Sequence, residues 1–107
     1  MYARELEARI FNHARQFWEH VPADFLAMQK AQKIALMHSE LSEALEAIRK
    51  PKPDEHCPEF TNEVVELADC VIRIIDYCGH FNMPLRDAIF AKVAFNETRE
   101  PKHGKAF

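Results

Sequence analysis

The sequence predicts an all-α fold of four helices, and three observations predict it. Glycine occurs only twice, at Gly79 and Gly104, so few sharp turns are available. Apolar residues recur at helical spacing through most of the chain. The six prolines fall between or at the ends of those apolar runs, where a helix has to start or stop.

Helix one is expected from about Ala3 to His20, with Leu6, Ile10, Phe17 and Val21 on one stripe, and ends before Pro22. Helix two runs from about Asp24 through Arg49, with a break expected near Lys30. The stretch PKPDEHCPEF is the single Pro-rich polar segment, so residues 51–59 read as a surface connection. Helix three is expected from about Phe60 to Tyr77, with Gly79 where a C-cap belongs. Helix four starts at Pro84, a residue suited to a first helical position, and continues to about Arg99 before Pro101. Residues 100–107 form a polar tail expected to be mobile.

At 107 residues the chain reads as one domain, 1–107, too small to bury every apolar face, so the bundle is expected to be completed by oligomerisation. The net charge of -3 and the scattered Lys and Arg residues argue against a nucleic-acid partner. Cys57, Cys70 and Cys78 are odd in number and two lie in an apolar run, which reads as reduced thiols in a cytoplasmic protein. The opening MYARELEARIF alternates charge with apolar residues, so no signal peptide or membrane span is expected.

Placing residues at about 100° per step turns the runs into faces. In helix two Ile34, Met37, Leu41, Leu45 and Ile48 form the main apolar stripe, while Glu40 and Glu43 share the other side with Leu36 and Ala47. Helix three is apolar around most of its circumference, and its one polar stripe holds Asn62, Glu66, Asp69, Arg73, Asp76 and His80. A largely buried helix that lines up carboxylates needs a partner for their charge. The pairs Glu40/Glu43 and Glu66/Asp69, each at i and i+3, can converge across a helix interface and hold a hard cation, Mg²⁺ or Mn²⁺ in its place. An ordinary solvated face explains one such pair well and two pairs poorly. A di-iron site would need Glu-x-x-His on helices, and the sole example, Glu100 to His103, contains Pro101 and lies past the last helix.

On helix four Lys92, Asn96 and Arg99 share a face, followed by Lys102, His103 and Lys105 in the tail. Such a cationic strip beside a metal suits a polyphosphate. Basic residues also suit a helix C-terminus, although that does not account for Asn96.

With both constellations present, the chain resembles the MazG-like family of all-α nucleoside triphosphate pyrophosphohydrolases. The resemblance rests on Glu-x-x-Glu followed by Glu-x-x-Asp, here Glu40, Glu43, Glu66 and Asp69, on the Lys92, Asn96, Arg99 pattern and on the terminal HGK, over roughly residues 28–107. It implies a four-helix bundle and Mg²⁺-dependent cleavage of a nucleoside triphosphate, with a lean toward deoxynucleotides, to the monophosphate and pyrophosphate. House-cleaning of the nucleotide pool is the implied role. Glu40, Glu43, Glu66 and Asp69 would hold the metal, and Lys92, Asn96, Arg99 and Lys102 would hold the phosphates, the tail acting as a lid. A homodimer or homotetramer with helix three near the subunit contact is implied as well. Some relatives carry Tyr one turn after the Asp, where this chain has Arg73. For the base, Trp18, Phe11 and His38 are candidates, although Trp18 and Phe11 are more readily core or interface packing and His38 reads equally as an interior histidine; Lys33 is placed to reach a phosphate and reads equally as solvated. Two other readings compete: a non-enzymatic helical module whose acidic stripe meets a basic partner, and a metal-dependent phosphohydrolase of another phosphate ester.

Overall fold

The computed structural model describes residues 4–99, and within them every regular element is helical. Helix α1 covers Arg4–Ala14 and tightens into a 3₁₀ turn, Arg15–Phe17. It therefore ends three residues before the expected His20, and Phe17 stays exposed instead of joining the stripe with Leu6 and Ile10. A second 3₁₀ turn, Ala23–Phe25, leads into α2, Leu26–Arg49, which passes Lys30 without the expected break. Unbroken i to i−4 bonding is natural there, since LAMQKAQKIALM contains no proline or glycine and is rich in strong helix formers.

Helix α3 covers Asn62–His80, and its start is fixed by Thr61, whose hydroxyl accepts from the Val64 amide at 3.5 Å. Residues 51–59 do form the surface connection. Asp54 folds it locally by accepting from the amides of His56 and Cys57, both at 2.9 Å. Asn62 ties it to α3, its backbone amide donating to the Lys52 carbonyl at 2.8 Å and its side chain to the Lys50 carbonyl at 3.2 Å.

Gly79 is not a cap. It lies inside α3, and the ring of Phe11 packs so closely over it that an added Cβ would meet the Phe11 Cδ1 at 3.0 Å. The glycine serves the approach of α1, and the left-handed residue that ends the helix is Asn82, at φ 54. Helix α4 follows at Leu85–Glu97, with Pro84 just before it.

Helices α2 and α3 form the body, antiparallel: Lys30 of α2 lies over the rings of Tyr77 and Phe81, whereas Glu40 reaches Arg73 nearer the start of α3. The residues of α2 that close on α3 are the small ones. Ala44 and Ala47 are buried, and the Cys70 thiol points at the Met37 carbonyl, 3.6 Å away. The expected main stripe of α2 faces elsewhere, with Leu41, Leu45 and Ile48 exposed, Leu45 at 65%. Alanine lets two helix axes approach, and the leucines, about 100° further round, are left over for something else.

Helix α1 covers the second half of α3. Beside it, Leu6, Ile10, Val64, Leu67, Ala68, Val71, Ile72 and Ile75 line an apolar cleft of about 430 Å³. The expected bundle of four helices is thus a body of three. Helix α4 has no buried residue; in its first turn Arg86 pairs with Glu7, and Leu85 lines a cavity with Phe11, Ile75 and Met83. Ile89, Phe90, Val93 and Phe95 stand exposed beyond that anchor. The cysteines are free, as expected, with Cys70 buried and Cys57 exposed. Burial raises the Cys78 thiol pKa. Among the described residues no helix is long and apolar enough to cross a membrane.

Candidate metal centre

The polar stripe of α3 and the facing turns of α2 build the site. Glu40, Glu66 and Asp69 each offer a carboxylate oxygen, and these oxygens lie within 4.8 Å of one another. Two come from successive turns of α3 and the third from across the interface, so the helix pair positions the charges against their mutual repulsion. The Glu66 pKa is raised by desolvation first, then by the charge of Glu40 and a hydrogen bond with it, then by Asp69 and Glu43. The Asp69 pKa is raised by desolvation and by Glu40, with Arg73 pulling the other way. Glu66 and Asp69 are thus short of positive charge.

Arg73 supplies part of it. One turn beyond Asp69, its Nε donates to Glu40 Oε2 at 2.8 Å, with the Glu40 side chain only 14% exposed. Glu43 differs from the other three expected ligands. It is exposed and lies outside the group of converging oxygens, because at i+3 from Glu40 it sits on the outer flank of α2, close enough to act on Glu66 through its charge alone. Three oxygen donors without a soft ligand fit Mg²⁺ or Mn²⁺, which fill their remaining positions with water or substrate oxygens.

Two turns further along the same stripe the chemistry changes from acidic to aromatic. The Trp18 indole Nε1 donates to the Asp76 carboxylate at 3.0 Å, and its ring stacks on His80 with centroids 3.7 Å apart and planes 5° from parallel. The Lys33 ammonium lies 4.5 Å from the Trp18 ring centroid. The His80 pKa is lowered, chiefly by desolvation, with Asp76 opposing the shift and Lys33 adding to it. Seven residues separate Asp69 from Asp76, about 10 Å along the helix.

Of the expected base contacts, Trp18 meets Lys33, a residue expected at a phosphate or in solvent, while His38 is exposed on α2 and Phe11 is spent on packing against Gly79. The cationic strip is not brought to the acidic cluster. Lys92 and Arg99 lie over the ring of Phe95 on α4, and among the described residues no hydrogen bond or ion pair links Lys92, Asn96 or Arg99 to Glu40, Glu66 or Asp69. Lys102, His103 and Lys105, with the proposed lid, lie outside the described residues. Arg73, Asp76 and His80 take up partners that the sequence reading did not assign. Their shared stripe was the available signal; Trp18, which is 58 residues from Asp76, carried none. No family model, curated protein or solved structure matches this chain.

Proposed function

We propose that this protein is a Mg²⁺-dependent nucleoside triphosphate pyrophosphohydrolase, cleaving between the α and β phosphates to release a monophosphate and pyrophosphate and acting on nucleotide pools as a cytoplasmic homo-oligomer. The observation that carries the proposal is the convergence of Glu40, Glu66 and Asp69 from two helices, two of them with raised pKa values. Two such groups hold their charge at a cost unless a cation joins them. Resemblance of the paired acidic motif to the MazG-like enzymes supports the same reading.

Glu40, Glu66 and Asp69 would hold the metal, with Glu43 assisting from the outer flank through its charge. When bound, the metal supplies Lewis acidity toward phosphate oxygens and a more acidic water as nucleophile. With a metal held there, no side-chain nucleophile would be required at the α phosphorus. Arg73, released from Glu40, is the nearest fixed cation for a phosphate oxygen. Lys33 and Trp18 mark the base end of the stripe, with the sugar between. Lys92, Asn96 and Arg99 hold the leaving pyrophosphate. Deoxynucleotides are the favoured substrates.

The test is direct. Purified protein is incubated with a mixture of ribo- and deoxynucleoside triphosphates and Mg²⁺, and pyrophosphate and orthophosphate are measured separately, with and without chelator. Pyrophosphate release that chelation stops supports the reading. Orthophosphate alone would assign a different phosphohydrolase. No turnover, with partner binding indifferent to chelation, would move the acidic stripe to the role of a docking face.

A further inference from the structure

We propose that the Trp18 indole stands in for a nucleobase, that Asp76, His80 and Lys33 form the site it fills, and that guanine is the base that displaces it. Three contacts of the indole point there. Its ring lies on the His80 imidazole with centroids 3.7 Å apart and planes 5° from parallel. Its Nε1 donates to both oxygens of the Asp76 carboxylate, at 3.0 Å each. The Lys33 ammonium is 4.5 Å from the ring centroid and, because the imidazole covers one face, it belongs to the other. A flat heterocycle stacked on a ring, donating N–H to a carboxylate and capped by a cation has the surroundings of a bound purine. Indole also shares the purine's frame of fused five- and six-membered rings.

The site is rigid and its occupant is not. Asp76 and His80 are four residues apart on α3 and share a face, so the helix fixes the carboxylate against the ring platform. His80 is exposed and Asp76 half-buried, which opens the site to solvent once the indole leaves. Trp18 stands on no helix. It follows the 3₁₀ turn Arg15–Phe17, in residues 18–22 without regular structure, and can swing out without unwinding a helix. Next to it the Gln29 side chain donates to the Glu19 carbonyl at 2.7 Å, a fixed point for that motion. The site also lies on the polar stripe of α3, about 10 Å along the helix from Asp69, a span that a sugar and one phosphate bridge.

The carboxylate decides which base enters. Its two oxygens share the one indole N–H, whereas two parallel N–H groups would give each oxygen its own bond. The guanine edge offers such a pair, N1–H and the 2-amino group. Hypoxanthine keeps N1–H alone. Adenine presents a lone pair at N1 and cytosine one at N3, and uracil and thymine flank their single N–H with carbonyl oxygens, all of which a carboxylate repels. Exchanging indole for guanine therefore gains a charge-assisted hydrogen bond. Against that gain stands the hold of the indole on its own site, which lowers the apparent affinity of any base that has to displace it. Base binding is independent of the chemistry; the arrival of guanine as a triphosphate rests on the pyrophosphohydrolase reading.

Nucleoside monophosphates, titrated with chelator present, test the base site without the metal. Calorimetry on the full-length protein should rank GMP above IMP by roughly tenfold, for the loss of one bond to a charged acceptor, with AMP, CMP and UMP below both. Trp18 is the sole tryptophan, so its emission reports displacement directly and should move to longer wavelength as GMP fills the site. Trp18→Ala should bind GMP about tenfold more tightly than the wild type, because no occupant has to leave, and Trp18→Phe, which keeps a ring and loses the N–H, should fall between them. Asp76→Asn, with one acceptor and one donor, should move the preference from GMP to AMP. Weaker GMP binding in both Trp18 variants would make the indole the platform and overturn displacement. Equal binding of all the monophosphates, or no GMP binding at millimolar concentration by either the wild type or Trp18→Ala, would overturn the site. Pyrophosphate release with no preference for guanine nucleotides would refute the proposal and leave the enzymatic reading standing. Guanine-selective binding by a protein that releases no pyrophosphate would do the reverse.

Discussion

Helices α3 and α4 each carry both apolar and charged residues and differ in what meets them. Along the polar stripe of α3, from Glu66 to His80, the residues have company: Glu66 and Asp69 face Glu40, Arg73 bonds Glu40, Asp76 receives the Trp18 indole, and His80 stacks under the same ring. Along α4 each large apolar residue beyond the first turn is open, and Lys92, with Arg99 from just past the helix end, lies over Phe95. Periodicity tells which side chains share a face. It does not tell what covers that face, since the cover comes from elsewhere in the chain or from another chain.

The most damaging test of the contrast removes a carboxylate. Glu40→Gln or Asp69→Asn should abolish Mn²⁺ binding, followed by electron paramagnetic resonance, and lower pyrophosphate release by on the order of 10²-fold or more, the size expected when several kcal/mol of metal-dependent stabilisation is lost. Glu43→Gln should do markedly less, because its carboxylate is outside the converging group. Equal effects at all four positions would show that the bound state draws Glu43 inward.

Next in size is the α4 strip. Lys92→Ala or Arg99→Ala should weaken every nucleotide by a similar factor, roughly tenfold for loss of a charge-assisted phosphate contact, while Mn²⁺ affinity stays within about twofold. Melting should fall by no more than a few degrees, since exposed cation–π pairs contribute only about 0.5–1 kcal/mol. A variant that altered base preference and preserved the overall rate would place the strip at the base.

These expectations also measure how far the sequence could be read. The stripe from Glu66 to His80 follows from spacing alone, and so does the proximity of the acidic pairs, because two helices joined by a short Pro-rich connection pack antiparallel. Which member of a pair turns inward does not follow: Glu40 and Glu43 are equivalent by motif, and the register set by Ala44 and Ala47 against α3 separates them. The same register leaves Leu41 and Leu45 outside, reversing the expectation that the most apolar stripe is the most buried. Gly79 looked like a cap, and only the Phe11 ring above it explains a glycine one residue from the helix end.

Arg73 tests the α3 side more finely. Its guanidinium occupies Glu40 Oε2, so a metal has to displace it. Arg73→Gln should bind Mn²⁺ up to about fivefold more tightly, the scale of a partly exposed ion pair, and bind inorganic pyrophosphate less well in the presence of Mn²⁺. Weaker metal binding in Arg73→Gln would mean that the arginine assembles the cluster instead of competing for it.

The smallest effect expected is on stability, and its sign is set by the raised carboxylates. In the folded state Glu66 holds its proton to a higher pH than in the unfolded chain. Between its ordinary value near 4.5 and that raised value the native state binds more protons, so the contribution of Glu66 to stability falls as pH rises through the window and stays unfavourable above it. Glu66→Gln removes the charge and keeps the shape. In metal-free buffer the variant should therefore melt above the wild type at neutral pH, and the difference should shrink as pH is lowered toward 4.5. Saturating Mg²⁺ should reverse the order at neutral pH, because only the wild type gains the full binding energy of the ion. Thermal melts at three pH values, each with Mg²⁺ and with chelator, make the comparison. A wild type that is more stable than Glu66→Gln without metal at neutral pH would mean that the carboxylate is already satisfied within the chain, and the acidic end of α3 would then have no more need of a partner than its aromatic end.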